Sequence, residues 1–253
     1  MNQLTFIGTA DAFNAAGRGN SCYWIDDRQG AFMVDFGPTA LMQCRHQQKD
    51  LARLDGVFLT HLHGDHMGGL AMLLMHLNFV ESRTRPFVIA GPPETAQRLA
   101  LLRESAYPEL LRRGLNYPIH IKTWTIPGEI NVLGRTVRAI RARHDTVATA
   151  TSFTVKTEDY TVAFSGDTGW QPALLELVDG ADVFVCECSN VTPDYWGHLS
   201  LEEIRRYRDA IRVGQLALTH LSTASREEAS RVAHQLDAII ADDGMRIALP
   251  GPA

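Results

Sequence analysis

Between Val57 and His66 the chain reads Val-Phe-Leu-Thr-His-Leu-His-Gly-Asp-His, so three imidazoles and one carboxylate follow a short apolar run within six residues. Such a run ends a buried strand and the glycine opens a helix, which puts the donors on a short loop at a strand end, where sites usually form. Histidines at i and i+2 of an extended loop, His61 and His63, can converge on one ion. Asp65 and His66 turn the other way at the helix start and can serve a second ion. A dense His/Asp cluster favours Zn, Mn or Fe over Ca or Mg.

The chain has ten histidines. Six of them, His61, His63, His66, His144, His198 and His220, stand at strand-to-loop junctions beside Gly, Asp or Ser. His46, His76, His120 and His234 sit in helix or strand contexts and read as ordinary surface or core residues. Asp167 follows the apolar run Thr161 to Phe164 beside a glycine, so its carboxylate can reach out from a strand end with two oxygens for two ions.

The elements that must position these residues are legible in outline. Runs at Leu4 to Ile7, Cys22 to Ile25, Ala31 to Val34 and Val57 to Leu59, separated by Gly, Asp and Asn, predict an opening β-meander. From His66 to about Val80 apolar residues crowd at every spacing, which predicts a mostly buried helix, followed by a strand at Phe87 to Ala90. Pro92 and Pro93 fit the first turn of a helix running through Arg103. Further strands are expected at Ile121 to Ile126, Thr136 to Ile140, Ser152 to Val155, Thr161 to Phe164, Val183 to Val185 and Leu216 to Leu218. Helices are expected at Pro172 to Val178, Leu201 to Ile211 and Ser225 to Leu236, with Ser200 and Ser222 as caps of the last two. Strands, helices and strands again suggest two packed sheets with helices outside, a four-layer single domain over residues 1–253.

Bulk properties narrow the classes. The 253 residues are 45% hydrophobic and carry a formal charge of -5, which allows a substantial core and gives no global attraction to polyanions. A long-RNA binder is disfavoured on that ground. The N-terminal MNQLTFIGTADAF reads as a first strand rather than a leader, and no run approaches the ~18 to 20 apolar residues of a membrane span, so a cytoplasmic protein without membrane association is expected. The four cysteines are too few for a disulfide scaffold at this length. A C-x-C pair such as Cys186 and Cys188 can bind metal, but VFVCECS reads as a buried strand carrying reduced thiols. No phosphate-binding loop motif occurs. Arg135, Arg138, Arg141 and Arg143 offer either an anion patch beside His144 or, more simply, a solvated edge.

The sequence resembles the metallo-β-lactamase superfamily, whose H-x-H-x-D-H signature stands here as His61-Leu62-His63-Gly64-Asp65-His66. Later superfamily elements follow in order as His144 in RARHDT, Asp167 in AFSGDTG and His220 in LALTHLS. The resemblance implies an α/β (α+β) four-layer αββα sandwich with two divalent metals, Zn or Mn, or Fe, at one edge of the two sheets. It implies that His61, His63 and His144 hold one metal, that Asp65, His66 and His220 hold the other, and that Asp167 bridges them. Asp35, ending AFMVDFG, looks like the carboxylate that steadies the histidine loop, or is a turn residue capping its strand.

Within the superfamily, the β-lactamases proper carry cysteine where this chain has Asp167, and flavodiiron proteins carry glutamate where it has His63. The FIGTADAF opening with Asn20-Ser21, Glu187 in VFVCECS and His198 in WGHLS resemble the ribonuclease Z and cyclic phosphodiesterase branch, where the matching Glu and His pair at the scissile phosphate. Physically, phosphodiester cleavage expels a poor alkoxide, which a protonated imidazole neutralises with a gain of roughly 10²- to 10⁴-fold. A carboxylate beside it, Glu187, would keep it charged. The plainer reading of His198 is a residue preceding the Ser200 helix cap. Ribonuclease Z also inserts a long arm that clamps tRNA between the elements matching His144 and Asp167, and this chain has no room for one.

The expected function is therefore hydrolysis of a small or cyclic phosphodiester by water activated on two metals, with Asp65, His198 and Glu187 as catalytic residues. The alternatives are a lactone, ester or thioester hydrolase on the same metals, and ribonuclease Z-like RNA processing. A non-catalytic metal-stabilised scaffold is disfavoured because all seven ligand positions are present. The resemblance also implies a homodimer, common in this branch.

Overall fold

A computed structural model describes residues 2–144 and 147–252, apart from the side chains of Leu110 and Leu111. The first sheet begins with the meander β1 (Gln3–Gly8), β2 (Cys22–Asp27) and β3 (Gly30–Val34). It continues in parallel through β4 (Leu54–Phe58), β5 (Phe87–Gly91) and β6 (Ile119–Thr123). The second sheet runs antiparallel through β7 (Gly128–Val132), β8 (Arg135–Arg141), β9 (Thr151–Lys156) and β10 (Thr161–Phe164). It then turns parallel through β11 (Val183–Glu187), β12 (Gln215–Thr219) and β13 (Ala238–Ile240). Finally β14 (Arg246–Ala248) returns to the first sheet beside β1. The helices are α1 (Ala40–His46), α2 (Gly64–Met67), α3 (Leu70–Phe79), α4 (Thr95–Ala106), α5 (Pro108–Arg113), α6 (Ala173–Val178), α7 (Leu201–Tyr207) and α8 (Thr223–Val232).

Three apolar layers hold the fold together. Between the sheets, Phe6, Tyr23, Phe32 and Phe58 meet Trp124, Phe153 and Phe164. Successive rings among these seven have centroids 4.6 to 5.7 Å apart. Alternate residues of the same strands point outward, Trp24 and Met33 against α1 and α3, and Phe184 and Leu216 against α6, α7 and α8. A strand buried on both faces reads as a continuous apolar run, and this is why Ala31 to Val34 and Val183 to Val185 were conspicuous in the sequence. The result is the expected four-layer αββα sandwich.

The structure differs from the sequence expectation in several places. The helix expected from His66 to Val80 is broken at Gly68 and Gly69, where the Gly69 N–H donates to the Phe36 carbonyl instead of along the helix, so α2 and α3 are separate; a Cβ on Gly69 would stand 2.2 Å from the Gly37 carbonyl oxygen, which keeps this close approach to glycine. Pro92 lies outside α4 and instead accepts hydrogen bonds from the N–H and hydroxyl of Thr95. The elements β7, β13, β14, α1 and α5 were not anticipated. Arg135 is neither an anion patch nor a solvated edge: it is fully buried, donates to both oxygens of Asp27, and packs over the Phe32 ring. Tyr160 donates to the same carboxylate. This ion pair ties the two sheets together at the end of the strands opposite Asp35. The four cysteines are buried free thiols. Among the described residues, no helix is long and apolar enough to cross a membrane.

Candidate metal centre

Six strands end at one edge of the sandwich, and each delivers a polar residue there. Asp35 follows β3, the segment His61 to His66 follows β4, His144 follows β8, Asp167 follows β10, Glu187 ends β11 and His220 follows β12. His198 comes from the loop between β11 and α7, whose start is fixed by a reciprocal cap: the Ser200 hydroxyl accepts from the Glu203 N–H, and the Glu203 carboxylate accepts from the Ser200 N–H. Asp35 and His220 both have left-handed backbone, with φ of 59° and 52°. Non-glycine residues hold that conformation only where their surroundings enforce it, and such positions cluster at functional sites.

The side chains fall into two donor groups. Nε2 of His61 and Nε2 of His144 lie 3.1 and 3.0 Å from Nδ1 of His63, so three imidazole nitrogens face a common point. A tetrahedral ion bonded at about 2.0–2.1 Å holds its nitrogens about 3.3 Å apart, close to this spacing. The second group is Asp65, His66, Asp167 and His220. Here His66 Nε2 is 3.2 Å from Asp65 Oδ2 and 3.4 Å from Asp167 Oδ1, and His220 Nε2 is 3.4 Å from Asp167 Oδ2. That same Asp167 oxygen lies 3.7 Å from His61 Nε2 and 3.8 Å from His144 Nε2, so Asp167 stands between the groups. Two buried atoms pointing inward, His66 Nε2 and Asp167 Oδ1, make no hydrogen bond among the described residues. A buried polar atom without a partner is costly, and a cation between these donors satisfies both. The residues fit a pair of divalent metal ions.

A surrounding shell orients His61, His66, His144, His198 and His220. Asp35 receives the Thr60 N–H at 2.8 Å, the Thr60 hydroxyl at 2.8 Å and His66 Nδ1 at 2.7 Å. Thr60 Oγ1 in turn lies 3.0 Å from His61 Nδ1, so one carboxylate orients a histidine of each group and leaves both Nε2 atoms free for metal. The Gly197 carbonyl accepts from His144 Nδ1 at 2.7 Å. On the other side, Ser189 Oγ meets His220 Nδ1 at 2.7 Å and donates to Glu187 Oε2 at 3.0 Å, while Glu187 Oε1 lies 2.8 Å from His198 Nδ1. Asp35 thus takes the steadying position that its sequence context suggested. Thr60, Ser189 and Gly197 were not singled out from sequence; their only signal is that they lie within two residues of His61, Glu187 and His198.

Charge follows this wiring. Burial lowers His61 and His144 below the usual imidazole range, with neighbouring imidazoles acting in the same direction. Burial works against His66 and His220 as well, but Asp167 and Asp65 outweigh it and raise both. Burial likewise opposes ionisation of Asp167 and Asp65, yet the surrounding histidines hold both below the usual carboxylate range. His198 is pressed down by burial and lifted by Glu187 to about 9. It is also 4.0 Å from Asp167 Oδ2, at the margin of the cluster, with a fifth of its side chain exposed.

Residues 31–221 match the family described as the Beta-lactamase superfamily domain. The chain belongs to the metallo-β-lactamase superfamily and is a metal-dependent hydrolase. It is similar to ribonuclease BN from Enterobacter sp. (strain 638), 27% identical over 274 aligned positions that span 87% of this chain and 89% of that one. Among solved structures, human tRNase Z, short form, superposes with a TM-score of 0.76 at 22% identity, covering 98% of this chain and 99% of that chain. A diphosphatase from the PhnP family superposes with a TM-score of 0.76 at 16% identity, covering 98% of each chain. At these identities the two structures establish the shared fold.

Proposed function

We propose that residues 1–253 form one hydrolase domain that holds two divalent metals, Zn, Mn or Fe, and cleaves a small or cyclic phosphodiester. His61, His63 and His144 would hold one metal, Asp65, His66 and His220 the other, with Asp167 shared. When bound, the pair would polarise the phosphoryl group and lower the pKa of the attacking water. The observation that carries the reading is the His198–Glu187 contact at the margin of this cluster. With Nδ1 given to Glu187, Nε2 is the nitrogen left to His198 as a charged donor on a side chain a fifth exposed, suited to protonating an expelled alkoxide. Asp65, 3.2 Å from His66 and 3.5 Å from His220, would orient the water and take its proton. An acyl substrate with a good leaving group gains little from such an acid, and this favours the phosphodiester.

Ribonuclease relatives make RNA the second reading. Against it, the 274-position alignment is longer than the whole 253-residue chain, so the relative carries residues absent here, and a net charge of -5 gives no general pull on a polyanion. Four buried free thiols suit a reducing compartment, and we assign the protein to the cytoplasm. The test is a panel of bis-aryl phosphodiesters, cyclic nucleotides, a pre-tRNA and lactones with the Mn- and Zn-loaded protein. Turnover of small phosphodiesters is expected. Lactone turnover without phosphodiester cleavage would overturn the reading, and pre-tRNA cleavage alone would move it to RNA processing.

A further inference from the structure

The segment Tyr195-Trp196-Gly197-His198 is pinned to the cluster by its backbone. The Gly197 carbonyl accepts from His144 Nδ1, the His198 N–H donates to the Tyr195 carbonyl, and Gly169 packs so closely on the Trp196 carbonyl that a Cβ there would lie 1.9 Å from its oxygen. The side chains behave oppositely: Tyr195 is 47% and Trp196 45% exposed, on a segment held in place on both sides. Their rings form a short ladder, Trp196 to Tyr195 at 5.8 Å and Tyr195 to His198 at 5.7 Å between centroids. Large aromatic rings left in water on a fixed backbone mark a surface for contact.

Direction matters here. If His198 protonates the leaving oxygen, whatever Tyr195 and Trp196 touch belongs to the leaving half of the substrate. Planar rings beside a phosphodiester-cleaving site suit stacking by a nucleobase, which every base offers regardless of its hydrogen-bonding edge. Resting on the phosphodiester reading, we propose that Tyr195 and Trp196 form a stacking platform for a base on the leaving-group side, so that the substrate is a nucleoside phosphodiester rather than a base-free sugar phosphate.

The test compares adenosine 2′,3′-cyclic phosphate with a base-free ribose cyclic phosphate on the metal-loaded full chain. Trp196→Ala should raise KM for the nucleotide by roughly ten- to a hundredfold relative to the base-free compound, the scale of losing one base stack, with kcat moved far less. Trp196→Phe should restore most of the loss, and Tyr195→Ala should shift the same ratio. An equal shift on both substrates, or no shift, would overturn the platform. A second readout needs no turnover: adenosine monophosphate should quench tryptophan fluorescence in the parent and much less in Trp196→Phe, and no quenching in the parent would also refute it. A short single-stranded RNA run alongside distinguishes the two sources of a nucleoside phosphodiester. If the parent cleaves no phosphodiester at all, the function proposed above fails, while the quenching result still decides for or against the platform.

Discussion

Glu187→Gln preserves the size of the side chain and removes the charge that faces His198. The magnitude follows from the structure. Burial presses the His198 imidazole down and the Glu187 carboxylate holds it at about 9, whereas an imidazole without such a partner titrates near roughly 6.5. At about pH 8 the first is roughly nine-tenths protonated and the second only about 3%, so the variant loses about thirtyfold in the acid form. Burial remains in the variant and bound cations add positive charge beside the ring in both proteins, so thirtyfold is the scale of the loss rather than its limit. The assay is the pH profile of kcat/KM for an alkyl phosphodiester, whose alkaline limb should move from near 9 toward 6.5 or below. A p-nitrophenyl phosphodiester, whose leaving group needs little protonation, should change far less. His198→Ala should give the fuller form of the same pattern, roughly 10²-fold or more on the alkyl substrate, with metal content intact. An unmoved alkaline limb, or equal losses on both substrates, would refute leaving-group protonation and leave Glu187 and His198 as supports for His220 and His144.

Asp35→Asn removes the charge that receives both His66 and Thr60, so metal affinity should fall by roughly ten- to a hundredfold in a chelator competition titration; unchanged affinity would mean that Asp35 only caps β3. Arg135→Met leaves the buried Asp27 carboxylate with the Tyr160 hydroxyl and the Gln29 N–H but no cation and should lower unfolding stability in urea by about 3–5 kcal/mol, while a loss under about 1 kcal/mol would show the pair to be dispensable. After chelation, the raised His198 contributes stability that is fully present below about pH 6.5 and lost as pH rises through about 9, and His66 and His220 act in the same direction. The thermal midpoint of the chelated protein should therefore fall across that window, and a flat or rising midpoint would contradict the assigned charges. On the acid side, Asp65 contributes stability that is lost as pH falls, so the same protein should also weaken well below pH 4.

What could be read from the sequence depended on how local each signal was. His61 to His66 are nearly contiguous, so their donor types are visible together, and Glu187 stood out because a carboxylate in VFVCECS demands a partner. The partner itself, His198, is eleven residues away and came from family resemblance joined to leaving-group chemistry. Ser189, Thr60 and Gly197 carry no chemical oddity of their own; their roles arise only when β4, β8, β11 and β12 bring their ends to one edge. Arg135 was misread because alternation along β8 cannot tell an end covered by Asp27 and Phe32 from one open to water. The split at Gly68 and Gly69 was hidden for a similar reason, since the acceptor that draws the Gly69 N–H away is the Phe36 carbonyl of a distant turn. Short edge elements such as β13 and β14 hold too few residues to show a period.

The ligand order along the chain has a bearing on how the protein matures. Four donors, His61 to His66, lie within six residues on the first sheet, whereas His144, Asp167 and His220 hang from three separate strands of the second. A chain still being synthesised exposes the first four long before the rest exist, and these supply only two donors to each of the two groups, enough to capture a passing ion only weakly. If these residues hold the metals, full coordination would require both sheets to have closed face to face, so the free energy of metal capture would be delivered late in folding and would serve to lock it. The ion would then act as a checkpoint on assembly: a copy whose sheets are misaligned holds metal poorly, and for the same reason has no catalytic power to misuse.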